Sequence, residues 1–191
     1  LPDYQSQKPR GKPRRVIERH HYFDIPYYPE QMVRRSIAAY HAFVSYMDDC
    51  VGRVLAQLDE LGLRDDTLII YAADHGENLY RHGLCEKHTF YEDSIQIPLI
   101  FSMPGVVPED RRTESLASIM DILPTVLAMT GTPTPQFVEG CDLRPAFEGE
   151  AVRDHVLAEY YHSLDPCRMV RGGRYKYIHT EEDICELYDL R

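Results

Sequence analysis

Apolar residues recur along the chain at alternating steps of four and three between residues 30 and 61. This period places the apolar side chains on one face of a long helix. Pro29 suits the position before the first turn, and Gly62 suits the position just past the last turn. A coiled coil shares this pattern, but a strand-like segment follows at once, so we favour a long helix packed on a sheet. The apolar stripe comprises Val33, Ile37, Tyr40, Val44, Met47, Val51, Val54, Leu58 and Leu61.

Short apolar runs follow the long helix and predict β-strands. Residues 67–73 form a nearly continuous apolar run, which is typical of a strand buried on both faces of a parallel sheet. Residues 95–101 and 155–160 are two further strand candidates. A helical apolar pattern covers residues 115–130 and is ended by a glycine. Pro124 lies inside this pattern, so we expect a kink or an interrupted first turn there.

The last part of the chain has a different pattern. Two strand-like segments, residues 169–171 and 175–178, flank Gly172 and Gly173, which predicts a hairpin across a Gly-Gly turn. The sequence therefore predicts an α/β fold with a small C-terminal antiparallel β subdomain. We divide the chain into an N-terminal arm or loop, the α/β core and this subdomain, which comprise residues 1–29, 30–150 and 151–191.

Composition and charge narrow the possible partners. The chain of 191 residues is 43% hydrophobic, which is enough for a core, and carries a net charge of −10. This charge disfavours nucleic acid and anionic membranes as partners. No apolar run approaches the length that spans a bilayer. The N-terminal arm is basic, which we interpret as a solvated segment, although polyanion binding remains an alternative.

The cysteines give no sign of a metal cluster or a disulfide framework. There are five, an odd number, and no two of them form a CxxC pair. We therefore expect scattered free thiols. They are Cys50, Cys85, Cys141, Cys167 and Cys185.

Asp74 and His75 come directly after the first predicted strand. In an open α/β sheet, ligands bind at the carboxyl ends of the strands. A carboxylate oxygen and an imidazole nitrogen are both ligands for divalent metals, although such a pair also occurs as an ordinary helix cap. Lys87 follows further along and would supply a fixed positive charge for a tetrahedral oxyanion. Taken alone, Lys87 would be interpreted as a surface charge.

Several segments, taken together and in order, resemble the sulfatase family of the alkaline-phosphatase superfamily. The sequence Asp74-His75-Gly76-Glu77, the segment 82–92 around Lys87, and residues 97–100 resemble the second signature block of sulfatases. Residues 48–55 resemble the helix before this block, and residues 121–125 the helix after it. Three further segments resemble the C-terminal strands of the family, namely residues 168–171, 174–177 and 186–190. Choline sulfatases, iduronate-type sulfatases and phosphonate monoester hydrolases are the nearer relatives.

The resemblance implies a role for each matching position. Asp74 and His75 resemble a pair of metal ligands, with calcium the usual ion of sulfatases. Lys87 resembles the lysine that contacts the sulfate and stabilises charge on the leaving side. His88 is expected either to line the same pocket or to be structural. His82 is interpreted as a loop histidine, and Glu77, Tyr91 and Glu92 as structural residues. The implied fold is part of an alkaline-phosphatase-like sheet flanked by helices.

The nucleophile of the family has no counterpart in this sequence. The family uses a formylglycine made from Cys or Ser in a Cys/Ser-x-Pro-x-Arg motif, which is absent here. Cys167 precedes no such proline, and neither Asp48-Asp49 nor Asp65-Asp66 stands where the early metal pair of the family belongs. We therefore expect the chain to be the C-terminal part of a sulfatase, with the missing N-terminal part supplied by a longer polypeptide, another chain or an oligomer.

Three hypotheses about function remain open at this point. The first is a calcium-dependent sulfatase that acts on a small sulfated substrate. The second is a phosphonate monoester or phosphodiester hydrolase on the same scaffold, which would use manganese or zinc and a phosphorylated substrate. The third is a non-catalytic remnant or binding domain, which the missing nucleophile favours.

Overall fold

The computed structural model describes residues 1–5, 9–161 and 166–191. The chain divides into two units, Leu1–Pro104 and Gly105–Arg191, and each is described by itself. All five cysteines are free thiols. No helix in these three stretches combines the length and apolarity needed to cross a membrane.

The first unit is dominated by the predicted long helix. Helix α2 spans Glu30–Glu60 and follows a shorter helix, α1, at Arg14–Phe23. Gly62 ends α2 in the left-handed region (φ 64°), where a Cβ is disfavoured, and its N–H donates to the Asp59 carbonyl (3.1 Å). The Leu63 N–H donates to the Leu58 carbonyl (2.9 Å), which completes the cap. The helix predicted at residues 30–61 is therefore confirmed.

Much of the apolar stripe of α2 is exposed in the described part of the chain. Val33 is fully buried, but Val44, Met47 and Val54 are more than half exposed. The packing of this helix on a sheet therefore stays a prediction. The periodicity fixed the helix and its apolar face, but it could not specify what covers that face.

The N-terminal segment is folded rather than an extended arm. It contains α1 and a short 3₁₀ turn at Ile25–Tyr27. Tyr4 and Ile25 are buried in a core with Val33 and Tyr80. The interpretation of residues 1–29 as an arm or loop was therefore wrong for the helix and the turn. Residues 6–8, with the basic Lys8, lie outside the described residues.

The two central strands of the first unit pair with each other. Strand β1 spans Ile69–Ala72 and strand β2 spans Leu99–Ser102. They are antiparallel, with Ile69 opposite Ser102. The parallel sheet expected for the run at residues 67–73 is therefore not formed by the described strands. Part of the second predicted strand is helical, because the short helix α3 spans Glu92–Ile95.

The second unit begins with an interrupted helix, as the proline predicted. A 3₁₀ turn at Ile119–Asp121 leads into α4, Ile122–Met129, so that Pro124 lies in the first turn of α4. The Ser118 and Asp121 side chains form a capping box at the start of the 3₁₀ turn. The short helix α5 follows at Arg144–Phe147.

Asp121 holds this second unit together. It is fully buried, and its carboxylate accepts the backbone N–H groups of Ser118 (2.7 Å) and Cys141 (2.8 Å) and pairs with Arg153. The hydroxyl of Thr125, also fully buried, donates to the Asp121 carbonyl (2.6 Å) and accepts the Leu143 N–H (2.9 Å). We call Asp121, Thr125 and Arg153 the buried cluster.

The C-terminal antiparallel sheet is confirmed. Its four strands follow the chain order β3–β4–β5–β6, and they span His155–Tyr160, Cys167–Gly172, Tyr175–Thr180 and Glu186–Asp189. Cys167, Met169 and Ile178 are buried on one face. The β4–β5 turn is formed by Gly173 and Arg174, one residue later than the predicted Gly-Gly turn. Residues 162–165, within the predicted subdomain of residues 151–191, lie outside the described structure.

Candidate active site

Residues 73–98, which connect β1 to β2, contain all four predicted site residues, and we call them the site loop. Asp74 and His75 lie near its beginning, one residue after the end of β1. The Gly76 N–H donates to the Ser94 carbonyl (2.8 Å), so that the beginning of the loop is tied to its end. A Cβ built on Gly76 would overlap the carbonyl oxygen of Asp93. The close approach of the two segments therefore requires glycine at position 76.

The structure brings the two predicted metal ligands together. Nδ1 of His75 lies 2.9 Å from the Gly76 carbonyl oxygen. Because a carbonyl can only accept, Nδ1 must carry the proton, and this leaves the lone pair of neutral His75 on Nε2. Nε2 lies 3.7 Å from Oδ2 of Asp74. The side chains of Asp74 and His75 are 85% and 41% exposed, so both donors are accessible.

The donor chemistry of this pair fits a divalent ion but does not complete its coordination. Calcium takes six to eight oxygen ligands, and carboxylates are among its preferred donors. Imidazole is a better ligand for zinc than for calcium. No group of three or more His, Cys, Asp or Glu residues in the described stretches could hold a metal ion. Within the described stretches, Asp74 and His75 can therefore account for only part of a metal site.

The middle of the site loop has an unusual backbone. Five non-glycine residues between positions 79 and 88 have positive φ: Leu79, Tyr80, His82, Glu86 and His88. Few non-glycine residues adopt this region. Each such residue costs about 1–3 kcal/mol and persists only where the surrounding contacts fix it. Such strain clusters at functional sites, which agrees with the position of the candidate residues.

Lys87 lies between two of these strained residues. Its neighbours Glu86 and His88 have φ values of 63° and 78°. Lys87 is half-buried, and it forms no hydrogen bond or ion pair with the rest of the described chain. Its ammonium is therefore free to meet an anion.

The Glu77 and Asn78 side chains hold the segment before Lys87. Oε1 of Glu77 accepts the N–H groups of Leu79 (3.0 Å) and Glu86 (2.6 Å). Asn78, fully buried, donates to the Glu86 carbonyl from its backbone (2.9 Å) and from Nδ2 (2.7 Å). The sequence predicts a structural role for Glu77 but none for Asn78, because one asparagine in a polar loop carries no pattern that marks it as buried.

His88 lies beside Lys87, and Nε2 of His88 is 3.5 Å from Oε2 of Glu86. Burial lowers the pKa of His88 below its usual value, and the positive charges of Arg19 and Lys87 lower it further, while Glu86 opposes them. A neutral imidazole next to Lys87 avoids a second positive charge at that position. Whether His88 lines the pocket or is structural stays a prediction.

His82 is packed against the end of the site loop. Its ring centroid lies 4.6 Å from that of Tyr91, and its Nε2 is 3.4 Å from Oδ2 of Asp93. Arg81 Nε pairs with the other oxygen of the same carboxylate (3.1 Å). Burial lowers the pKa of His82, and Asp93 opposes this shift. These contacts agree with the interpretation of His82 as a loop histidine.

Two protein-family models match the chain. The model described as Sulfatase matches residues 2–132. The model described as N-sulphoglucosamine sulphohydrolase, C-terminal, matches residues 80–191. The site loop lies within the first match and largely within the second.

Known proteins and solved structures agree with these matches. The choline-sulfatase of Rhizobium meliloti (strain 1021) is 35% identical over 173 residues, which cover 88% of this chain and 33% of the relative. A phosphonate monoester hydrolase from Silicibacter pomeroyi has a TM-score of 0.82 at 26% identity, covering 98% of this chain and 42% of that chain. A 2-O GAG sulfatase has a TM-score of 0.78 at 30% identity, covering 93% of this chain and 39% of that chain. The chain thus spans about a third of the length of its curated relative.

Proposed function

Because this chain belongs to the sulfatase family, we propose that it supplies the metal-binding and leaving-group side of a sulfuric ester hydrolase. The observation that carries the proposal is the site loop. The loop carries an accessible carboxylate–imidazole pair at one end and, further along, a lysine that has no partner in the part of the chain that the structure describes. The formylglycine nucleophile would come from outside residues 1–191.

Asp74 and His75 would bind the metal ion. The Nδ1 hydrogen bond to the Gly76 carbonyl aims the lone pair of Nε2 away from the backbone, which is the orientation that a ligand needs. Calcium is the proposed ion, held together with ligands outside the described residues. When bound, such an ion polarises the oxygens of a sulfate ester.

Lys87 would bind the sulfate and stabilise negative charge on the leaving oxygen. A cation that meets charge developed in the transition state lowers the barrier more than it tightens substrate binding. The half-buried position of Lys87 strengthens this effect, because solvent screens the charge less than at an exposed site. His88, adjacent and disfavoured as a cation, would complete the wall of the pocket.

A second candidate function is phosphonate monoester hydrolysis. It is favoured by the TM-score of 0.82 to the phosphonate monoester hydrolase of Silicibacter pomeroyi. Sulfate and phosphonate monoesters are both tetrahedral anions, and the same loop residues serve either. In this case the ion would be manganese or zinc, and an imidazole ligand suits zinc better than calcium.

The test is Lys87→Met in the complete gene product, assayed with an aryl sulfate and with an aryl phosphonate monoester. We expect kcat to fall roughly 10²- to 10³-fold for the preferred substrate, as for loss of one oxyanion donor. Arg112→Met, which removes an exposed positive charge from the second unit, is the control and should keep wild-type kcat. Wild-type turnover by Lys87→Met would disprove the role of Lys87. A complete gene product with neither activity would favour the non-catalytic alternative.

A further inference from the structure

Both backbone polar groups of Glu86, the residue before Lys87, form hydrogen bonds. Its N–H donates to Oε1 of Glu77 (2.6 Å). Its carbonyl accepts from the N–H of Asn78 (2.9 Å) and from Nδ2 of the same residue (2.7 Å). Three hydrogen bonds from two consecutive residues therefore fix one peptide segment, and we call this arrangement the Glu86 clamp.

The clamp is made of strong and well-shielded bonds. The bond from the Glu86 N–H ends on a carboxylate, and hydrogen bonds to charged groups are shorter and stronger than neutral ones. Asn78 is fully buried, so its two bonds do not compete with water. Its Nδ2 also lies 3.5 Å from the hydroxyl oxygen of Thr89. The clamp thus contacts the chain on both sides of Lys87 and His88.

The backbone around Lys87 needs such a clamp. Glu86 and His88 both have positive φ, so the lysine lies between two residues in a disfavoured conformation. Without fixed hydrogen bonds, these residues would relax to negative φ and turn the Lys87 side chain to another direction. The clamp bonds directly to the first of these two residues.

One oxygen of the Glu77 carboxylate is committed to this backbone role. Its Oε1 already accepts two backbone N–H groups, from Leu79 and Glu86. Glu77 also follows the Asp74–His75 pair by only two residues. One short segment therefore carries the predicted metal ligands and also fixes the position of the lysine.

We propose that Glu77 and Asn78 are positioning residues that set the direction of Lys87 toward the substrate anion relative to the metal pair. This inference rests on the proposed function of Lys87. It assigns Glu77 a part in catalysis through geometry alone, without contact with the substrate. A displacement of about 1 Å at a reacting group lowers the rate by up to roughly 10²-fold.

The experiment compares Glu77→Ala and Glu77→Gln in the complete gene product. The alanine removes both acceptor bonds, whereas the glutamine keeps an oxygen at the same position. We expect kcat to fall about 10- to 100-fold in Glu77→Ala with KM changed by less than threefold. Glu77→Gln should recover most of this loss. Asp142→Ala is the control, because it removes a carboxylate that accepts the Arg144 N–H (3.0 Å) in the second unit.

A double variant tests whether Glu77 acts through Lys87. If it does, Glu77→Ala combined with Lys87→Met should be no slower than Lys87→Met alone, because the lysine is already absent. Losses that multiply would overturn the proposal. The proposal would also be overturned if Glu77→Ala kept the wild-type kcat while Lys87→Met lost it. That outcome would leave the proposed function intact. Wild-type kcat in Lys87→Met would instead disprove the proposed function itself.

Hydrogen exchange gives a readout that does not depend on activity. The Glu86 amide should exchange at least tenfold faster in Glu77→Ala than in the wild type, because its acceptor is lost. Glu77→Gln and Asp142→Ala should leave its exchange near the wild-type rate. If the Glu86 amide exchanges as slowly in Glu77→Ala as in the wild type, the clamp is overturned. If Glu77→Ala does not fold, Asn78→Ala removes the Nδ2 bond to the Glu86 carbonyl instead. Faster exchange of the Glu86 amide in Asn78→Ala would support the clamp, and an unchanged rate would overturn it.

Discussion

The site loop and the buried cluster are each built around one carboxylate that accepts backbone N–H groups. Glu77 in the site loop binds Leu79 and Glu86, and Asp121 in the buried cluster binds Ser118 and Cys141. Asp121 also has a cationic partner, Arg153. The site loop has two cations: Arg81 pairs with Asp93, whereas Lys87 has no hydrogen-bonding or ion-pair partner among the described residues.

This difference separates a residue that maintains the fold from one that prepares a site. In the buried cluster every charge is matched inside the protein, and Asp121 is fully buried. In the site loop the carboxylate fixes the backbone, while the charges of Asp74 and Lys87 remain available to bind a ligand. The backbone strain also lies in the site loop, which has five non-glycine residues with positive φ between positions 79 and 88. We therefore expect substitutions in the buried cluster to affect stability first, and substitutions in the site loop to affect turnover first.

The largest effect on stability is expected for Asp121→Ala. It leaves the guanidinium of Arg153, whose side chain is 17% exposed, without its partner, and it also removes the acceptor of two N–H groups. Loss of one partner of a buried ion pair destabilises proteins by about 3–5 kcal/mol. Urea unfolding of the complete gene product would measure the loss. Asp121→Asn, which keeps an acceptor oxygen, should lose less, and an unchanged midpoint for Asp121→Ala would refute the comparison.

A smaller effect on stability is expected when the pH is lowered, because His82 then becomes protonated. Burial lowers its folded pKa below the ordinary value of 6.5, against the opposing charge of Asp93 and with the help of Lys12 and Arg81. As the pH falls through 6.5, the unfolded chain takes up a proton before the folded chain does. The contribution of His82 to the free energy of unfolding is therefore complete above this pH. It decreases as the pH falls below 6.5, until the pH has passed the folded pKa.

The measurement is the melting temperature of the wild type and of His82→Gln between pH 5 and 7.5. The wild type should lose more stability than the variant as the pH falls. Parallel curves for the two proteins would show that His82 does not contribute to the pH dependence.

The sequence predicted those parts of the fold that depend on local periodicity. The apolar stripe gave α2, and the glycine–glycine pair with its flanking strands gave the β4–β5 hairpin to within one residue. The pairing of β1 was not predictable in this way, because a continuous apolar run does not specify the direction of its neighbour. Helix α1 was missed because its sequence is rich in charged residues and histidine, and its position depends on packing of the N-terminal segment with Tyr80.

For the candidate site, the sequence motif indicated the chemistry but not the conformation. Asp74, His75 and Lys87 were predicted from their resemblance to the family, and the structure places the first two within 3.7 Å. The clamp on Glu86 was not predictable, since it depends on the positive φ of Glu86 and on the burial of Asn78, neither of which follows from residue type. The roles of the four residues in binding stay predictions.

The central claim is that Asp74 and His75 bind the metal ion of the active site. The most direct test is a crystal structure of the complete gene product soaked with manganese, with anomalous diffraction data to locate the ion. We predict an anomalous peak at bonding distance from an Asp74 carboxylate oxygen and from Nε2 of His75, and loss of this peak in Asp74→Ala. A fully occupied peak that touches neither residue, in a protein that retains its activity, would contradict the account.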